Sequence, residues 1–329
     1  MTIPITGHTK FMGLLGSPVS HSISPLMHNE SFRILGLDYV YLCFDIKEDG
    51  LKTAVDGLKM AGIRGFNLTM PCKNLMAELC DELSPAASLI GAVNTVVNED
   101  GKLMGHNTDG VGFWQASMEE NIAPKDASIT LMGMGGAATS IAVQAALDGA
   151  KDLFLFARPT SRFWNRARHL TDKLNNCTSC RVQLFDQSDT SSLKASMQAS
   201  SLFINGTSVG MAPNTNQSII TDLSLFHPEL TVADVIYNPR ETRLLKEAKQ
   251  SGLDAVCLTE HFNTLQFDEL YGYLISVCER EEDTLITQDG LRIFAGMETD
   301  VAEGGHILSI GKPEEILALN VRLETYKEK

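Results

Sequence analysis

Leu131-Met132-Gly133-Met134-Gly135-Gly136-Ala137 joins a β-rich run, Ser128–Met132, to a stretch of helical apolar period over residues 137–147. A glycine turn that leaves a strand and opens a helix is the setting a dinucleotide-binding turn requires. Further β-rich runs follow at 153–156, 181–185, 202–205 and 231–236, with a helical pattern over 242–250. Upstream, β-rich runs at 11–15, 39–46, 65–69 and 92–98 alternate with helical stretches such as 25–35 and 50–61. This alternation predicts βαβ units on parallel sheets, an α/β chain with a boundary near residue 106.

Glycine lets the backbone approach a pyrophosphate, and the first N–H groups of the following helix present partial positive charge to it. The pocket for the adenosine ribose falls at the end of the next strand, where an acid usually grips the 2′-hydroxyl of NAD. Here the residues are Ala157-Arg158-Pro159-Thr160-Ser161-Arg162, without an acid. Arg158 suits a 2′-phosphate, so NADP is favoured with NAD as the second choice, while Arg162 and Arg166 read as a solvated basic loop.

The chain has 329 residues and a net charge of −14, which argues against a nucleic-acid binder. The charge is uneven: residues 1–250 hold 25 acids and 21 bases, and residues 251–329 hold 16 acids and 6 bases. No apolar run reaches the roughly 18 residues of a spanning helix, and the N-terminal MTIPITGHTK lacks a signal-peptide core, so a cytoplasmic protein is expected. The seven cysteines are scattered. Only Cys177-Thr-Ser-Cys180 has ligand-like spacing, and with no second pair it reads as a polar loop.

Three polar segments follow expected strands: His21-Ser22-Ile23-Ser24-Pro25, Asn67-Leu68-Thr69-Met70-Pro71-Cys72-Lys73 and Asn107-Thr108-Asp109-Gly110. Ligands of open α/β sheets collect beyond the carboxyl ends of strands. Reducing a ketone by hydride requires a proton donor at the developing alkoxide, a task suited to a lysine held by a carboxylate, and Lys73 with Asp109 would serve. Taken singly, Lys73 reads as a solvated residue at a helix start and Asp109 as an N-cap.

HSISPLMHN, FNLTMPCK, DELSPAASLIGAVNTVV, GHNTDGVGF, GMGGAATS, INGTSVGM and DVIYNPRETRLL, in this order, resemble shikimate dehydrogenases, particularly the quinate/shikimate dehydrogenase branch. The resemblance covers residues 10–250. It implies an open α/β substrate domain over 1–106 and a Rossmann-like doubly wound NAD(P)-binding domain over 107–250. It also implies reversible hydride transfer between NAD(P) and the ring carbinol of shikimate or quinate, small-molecule ligands on the aromatic biosynthetic route, and a homodimer.

Residue by residue, the resemblance implies that Ser22 and Ser24 bind the substrate carboxylate, that Tyr41, Thr69 and Asn94 bind ring hydroxyls, and that Lys73 and Asp109 are the catalytic pair. Gly133, Met134, Gly135, Gly136 and Ala137 would hold the pyrophosphate. Ala157, Arg158, Pro159 and Thr160 would meet the ribose, with Thr207, Ser208 and Tyr237 along the cofactor. Two departures stand out: the branch usually has an Asp where Thr160 stands, and the family's closing Gly-x-x-Met-Leu-x-x-Gln segment has no match after Leu245.

The atypical acidic segment 251–329 reads as strand-like at 254–258, helix-like at 268–283 and strand-like at 291–295. Gly252-Leu253-Asp254-Ala255-Val256-Cys257-Leu258-Thr259-Glu260-His261, Phe294-Ala295-Gly296-Met297-Glu298 and Gly304-Gly305-His306-Ile307-Leu308 resemble the middle of a polymerase-and-histidinol-phosphatase-type, metal-dependent phosphoesterase domain. That resemblance makes His261, Glu298 and His306 candidate metal ligands. The opening His-x-His and the closing ligands of such domains are missing, so no metal is expected. The chain therefore reads as most of a dehydrogenase joined near residues 246–252 to an unrelated fragment, with 254–258 able to supply a last parallel strand. A metal-dependent phosphoesterase and a non-catalytic shikimate- or nucleotide-binding regulator are the alternatives.

Overall fold

The computed structural model describes residues 4–257, apart from 21, 23, 35, 237 and 240, together with five short strands beyond residue 278. Two compact units stand out: one holds Met1–Leu83 and Ala92–His106, the other Ser84–Gly91 and Asn107–Glu260.

The first unit is built on β1 (Lys10–Gly16), α1 (Ser24–Ile34), β2 (Tyr39–Asp45), α2 (Glu48–Met60), β3 (Gly65–Leu68), α3 (Lys73–Leu79), β4 (Glu82–Leu83), β5 (Thr95–Glu99) and β6 (Lys102–His106), with sheet order β2-β1-β3-β5-β6-β4. Strands β2, β1 and β3 are parallel, as the βαβ pattern predicts. The expectation of an all-parallel sheet fails at β5, which runs antiparallel to both β3 and β6. The cause is the two-residue turn Asp100-Gly101, with φ of 52° and 87°, which folds β5 and β6 into a hairpin. An Asp-Gly pair is a strong hairpin signal, and it lies in the sequence at the end of the expected 92–98 strand. The strand itself spans Thr95–Glu99.

The second unit contains α4 (Pro85–Ile90), α5 (Asp109–Glu119), β7 (Ser128–Met132), α6 (Gly136–Leu147), β8 (Asp152–Ala157), α7 (Trp164–Cys177), β9 (Arg181–Asp186), α8 (Thr190–Ala199), β10 (Leu202–Asn205), β11 (Thr231–Asp234), α9 (Arg243–Gln250) and β12 (Ala255–Cys257). All its strand pairings are parallel, in the order β12-β11-β10-β7-β8-β9. Counted from β7 this is 6-5-4-1-2-3, the doubly wound arrangement, with its switch point beside β7, the strand that carries the glycine turn. β8 is buried along its whole length, as a parallel strand covered on both faces must be. Phe156, Met197, Phe203, Val232, Leu244 and Ala248 are among the buried side chains of one core that ties α8 and α9 to the sheet.

β12 pairs with β11 as the sixth strand, the place the strand-like run at 254–258 suggests. Farther on, β13 (Glu279–Glu281), β14 (Thr284–Ile286) and β15 (Arg292–Ile293) form an antiparallel sheet, and β16 (Gly296–Val301) pairs with β17 (Gly305–Ile310). The end of the helix-like stretch 268–283 is thus a strand at 279–281, where alternating charge and hairpin pairing replace helical period. The rest of that stretch lies outside the described residues.

Candidate functional site

In the first unit Ser22, Ser24 and Thr69 follow the carboxyl ends of β1 and β3, while Tyr41 is the third residue of β2. Ser24, 2% exposed, opens α1, and Ser22 Oγ donates to its hydroxyl at 2.9 Å. Asn29 fixes that helix to β2 by donating to Tyr41 O at 2.9 Å and accepting from Tyr41 N at 2.8 Å, a side chain standing in for a strand neighbour. Tyr41 is 1% exposed and its hydroxyl donates to Asn67 Oδ1 at 2.9 Å. Burial, followed by the nearby Cys43, holds its phenol well above its ordinary value.

Asn67 Nδ2 donates in turn to Thr95 Oγ1 at 3.2 Å, and Thr95 Oγ1 donates to Asn94 Oδ1 at 3.1 Å. Thr69 and Asn94 are buried at 6% and 8% exposure, Thr69 just past the end of β3 with its N–H on Leu15 O. Asn67 is the residue that sequence reasoning missed. Its signal was available, since Asn67 and Thr69 stand two apart on an extended run and so share a face. Lys73 is the first residue of α3, half-buried, and its carbonyl accepts from Val93 N at 2.8 Å, which joins the lysine's backbone to the segment that carries Asn94.

In the second unit the same end of the sheet carries backbone rather than side chains. Gly133 has φ of 95° and its N–H donates to Phe156 O. A Cβ there would lie 2.8 Å from Gly206 O and 2.9 Å from Thr207 Cγ2, so the turn accepts no side chain and packs directly on the loop after β10. Gly135 caps α6 without any side-chain hydrogen bond, and Gly136 and Ala137 are exposed. A Cβ added at Gly135 or Gly136 meets nothing within 4 Å. The start of a twelve-residue helix is therefore capped by no side chain and has open space beside Gly135 and Gly136, a setting that fits a pyrophosphate.

Ala157 is buried, whereas Arg158, Pro159 and Thr160 are exposed beyond β8. Arg162 lies over the Phe163 ring at 4.7 Å, and Arg166 Nη2 donates to Ile90 O, so these two arginines have structural tasks within the unit. Thr207 is partly buried, with its N–H and hydroxyl both on Asn205 Oδ1 at 3.1 and 2.7 Å, and Ser208 is exposed.

Asp109 is the first residue of α5, with Thr108 as the N-cap, which corrects the N-cap reading by one position. The carboxylate still sits in the first turn, where the helix dipole favours it. Its N–H donates to Asn107 Oδ1, which also accepts from Ser140 Oγ on α6 at 3.2 Å. Gly110 allows this seating, because a Cβ there would fall 2.3 Å from Ser140 O. The loop that bears Asp109 is thus anchored to the helix that carries the glycine turn.

Tyr237 and His261 lie outside the described residues. Glu298 is in β16 and His306 in β17, where Glu298 pairs with Leu308 and His306 with Asp300. Among the described residues no group of three or more His, Cys, Asp or Glu is placed to hold a metal ion. Cys177 is exposed and Cys180 is buried with its thiol pushed up to about 11, chiefly by burial, so it is a poor ligand and a poor nucleophile. Among the described residues no helix is long and apolar enough to cross a membrane.

Residues 14–96 match the shikimate dehydrogenase substrate binding domain family. The chain is 48% identical over 258 residues to a shikimate dehydrogenase (NADP(+)) of Streptococcus pyogenes serotype M28, covering 78% of this chain and 88% of that one. The structure of shikimate 5-dehydrogenase from Listeria monocytogenes in complex with shikimate and NAD is similar at 44% identity and a TM-score of 0.74, covering 78% and 89% of the two chains. Quinate dehydrogenase from Corynebacterium glutamicum in complex with NAD is similar at 31% identity and a TM-score of 0.64, covering 75% and 87%.

Proposed function

Because the chain belongs to the shikimate dehydrogenase family, we propose that it interconverts shikimate and 3-dehydroshikimate, with NADP as the favoured cofactor and quinate as a second substrate. The observation that carries this reading is the open, uncapped N-terminus of α6 on its glycine turn, in a unit of doubly wound topology. When bound, the nicotinamide supplies or accepts the hydride. The protein's own residues bind, orient and move the proton.

In the reducing direction the carbonyl carbon gains hydride and its oxygen gains a proton. Lys73 supplies that proton, with Asp109 as the second member of the catalytic pair. Ser22 and Ser24 offer two adjacent hydroxyls to the substrate carboxylate. Thr69 and Asn94 meet ring hydroxyls, and Tyr41, whose hydroxyl is already on Asn67, adds the orientation of that amide. Gly133 to Ala137 hold the pyrophosphate, Ala157 to Thr160 meet the ribose with Arg158 on a 2′-phosphate, and Thr207, Ser208 and Tyr237 line the remainder. Residues 1–106 then form the substrate domain and 107–250 the nucleotide domain.

The free thiols Cys43, Cys72 and Cys80 suit a reducing, cytoplasmic compartment. A homodimer is consistent with the edge position of β2 and the exposure of Leu42. Sedimentation equilibrium tests the oligomeric state. Absorbance at 340 nm with shikimate and NADP tests the activity: a steady rise supports it, and no rise with any pairing of shikimate or quinate with NADP or NAD overturns it.

A further inference from the structure

Two aspartates are buried in the parallel sheet, one at each end. Asp152, 4% exposed, sits at the amino end of β8, where it accepts from Ser128 Oγ at 2.8 Å and from Arg181 Nε at 2.6 Å. Asp234, 0% exposed, ends β11 on the side of the glycine turn. Its partners among the described residues are neutral donors: Asn205 Nδ2 at 3.1 Å and Ile236 N at 3.0 Å on Oδ1, and Thr242 Oγ1 at 2.7 Å on Oδ2. Burial outweighs these donors and pushes the carboxyl up to about 6. A buried carboxylate held without a cation is costly, and such costs gather where a site needs fixed geometry.

Each donor leads to a different piece of backbone. Asn205 is in register with Asp234, and its Oδ1 accepts both the N–H and the hydroxyl of Thr207, while Thr207 Oγ1 accepts from Val209 N at 3.1 Å. Thr242 caps α9 by accepting from Leu245 N. Ile236 lies in the loop between β11 and α9, and that loop returns to the first through Ala212 N on Asn238 O at 2.9 Å. Thr207 also lies against Gly133, so the chain of contacts runs from the carboxylate to the glycine turn.

We propose that Asp234 is the positioning residue of the nucleotide site: one side chain sets the loop of Thr207 and Ser208 through Asn205 and the loop after β11 through Ile236 and Thr242. The inference rests on the reading above that these loops line the cofactor. An amide that keeps its oxygen on Asn205 and Ile236 turns its NH2 on Thr242, whose hydroxyl must then accept where it now donates, so Asp234→Asn changes the contact that leads to α9.

The test is NADP affinity by calorimetry together with steady-state kinetics, in the full chain and in the variants Asp234→Asn, Asp152→Asn, Thr242→Val and Thr242→Ser. Asp234→Asn weakens NADP binding by about tenfold and leaves the shikimate KM within about twofold. Asp152→Asn lowers the melting temperature and leaves NADP affinity within about twofold. Thr242→Val weakens NADP binding by about threefold, and Thr242→Ser restores it, which carries the test should Asp234→Asn not fold.

If Asp234→Asn and Thr242→Val lower only the melting temperature, as Asp152→Asn does, the positioning role is wrong and the dehydrogenase reading stands. If the unmodified chain binds neither NADP nor NAD, the reading beneath the inference has itself failed.

Discussion

The two units present their candidate ligand-binding groups in opposite ways. The first uses side chains, with Ser22, Ser24, Tyr41, Asn67, Thr69 and Asn94 gathered from strands and loops spread over more than seventy residues and linked by hydrogen bonds such as Tyr41 to Asn67 and Thr95 to Asn94. The second uses backbone, with a glycine turn that excludes side chains and the bare N-terminus of α6. A ligand with a carboxylate and ring hydroxyls at fixed positions is read by donors and acceptors that can each be aimed. A pyrophosphate demands only charge and close approach, which N–H groups supply. Substitutions should therefore act differently in the two units.

The largest effect is expected at Lys73. Lys73→Ala should cut turnover by roughly 10²-fold to 10³-fold with a small change in shikimate KM, measured at 340 nm, because it removes the proton source rather than a binding contact. Unchanged turnover would remove the first unit's claim to the chemistry.

Acid separates the units next. Burial lowers His28, stacked on Tyr41 with ring centroids 4.1 Å apart, to about 4. Its folded pKa lies below its ordinary 6.5, so its contribution to stability is present above pH 6.5 and is lost as pH falls toward 4. Asp234 has the opposite sign: its pKa is raised from 3.8 to about 6, so its contribution is present below pH 4 and is lost as pH rises through 6. Each effect is on the order of 3 kcal/mol. Between pH 7 and pH 4.5 the first unit should lose hydrogen-exchange protection relative to the second, and parallel loss in both would break the comparison.

Gly133→Ala comes third. Its positive φ and the approach of Gly206 O predict a loss of about 2–3 kcal/mol in stability or an equivalent fall in NADP affinity, with shikimate binding unaffected. The smallest effect sharpens the contrast: Thr69→Val, which keeps shape and loses one hydroxyl, should raise shikimate KM by about tenfold and leave NADP KM alone.

The same contrast explains what could be read before any coordinates. The glycine turn lies within seven consecutive residues, and its flanking strand and helix carry their own periods, so the parallel-sheet unit was legible almost strand by strand. β12 is the telling case: its three residues belong to a stretch of otherwise unfamiliar sequence, yet their apolar run and position after α9 fit the sheet's open edge. In the first unit periodicity gives the strands but no sign of antiparallel pairing, and the Asp100-Gly101 turn alone carries that sign.

Its polar cluster came from resemblance, since nothing local links Tyr41 to Asn67. Asp234 escaped for a related reason. In sequence it is one acid at the end of a short apolar strand, and only the register of β10 with β11 and the return of Thr242 show what it holds.

The central proposal is a division of labour, with hydride carried by a nucleotide on the second unit and the substrate held by the first, whose Lys73 supplies the proton. Its most direct test is one preparation assayed at 340 nm with shikimate and with quinate, each against NADP and NAD. The account predicts reduction of NADP by shikimate as the fastest of the four and its near-abolition in Lys73→Ala. Absence of reduction in all four, from protein that is folded and binds NADP, would contradict it.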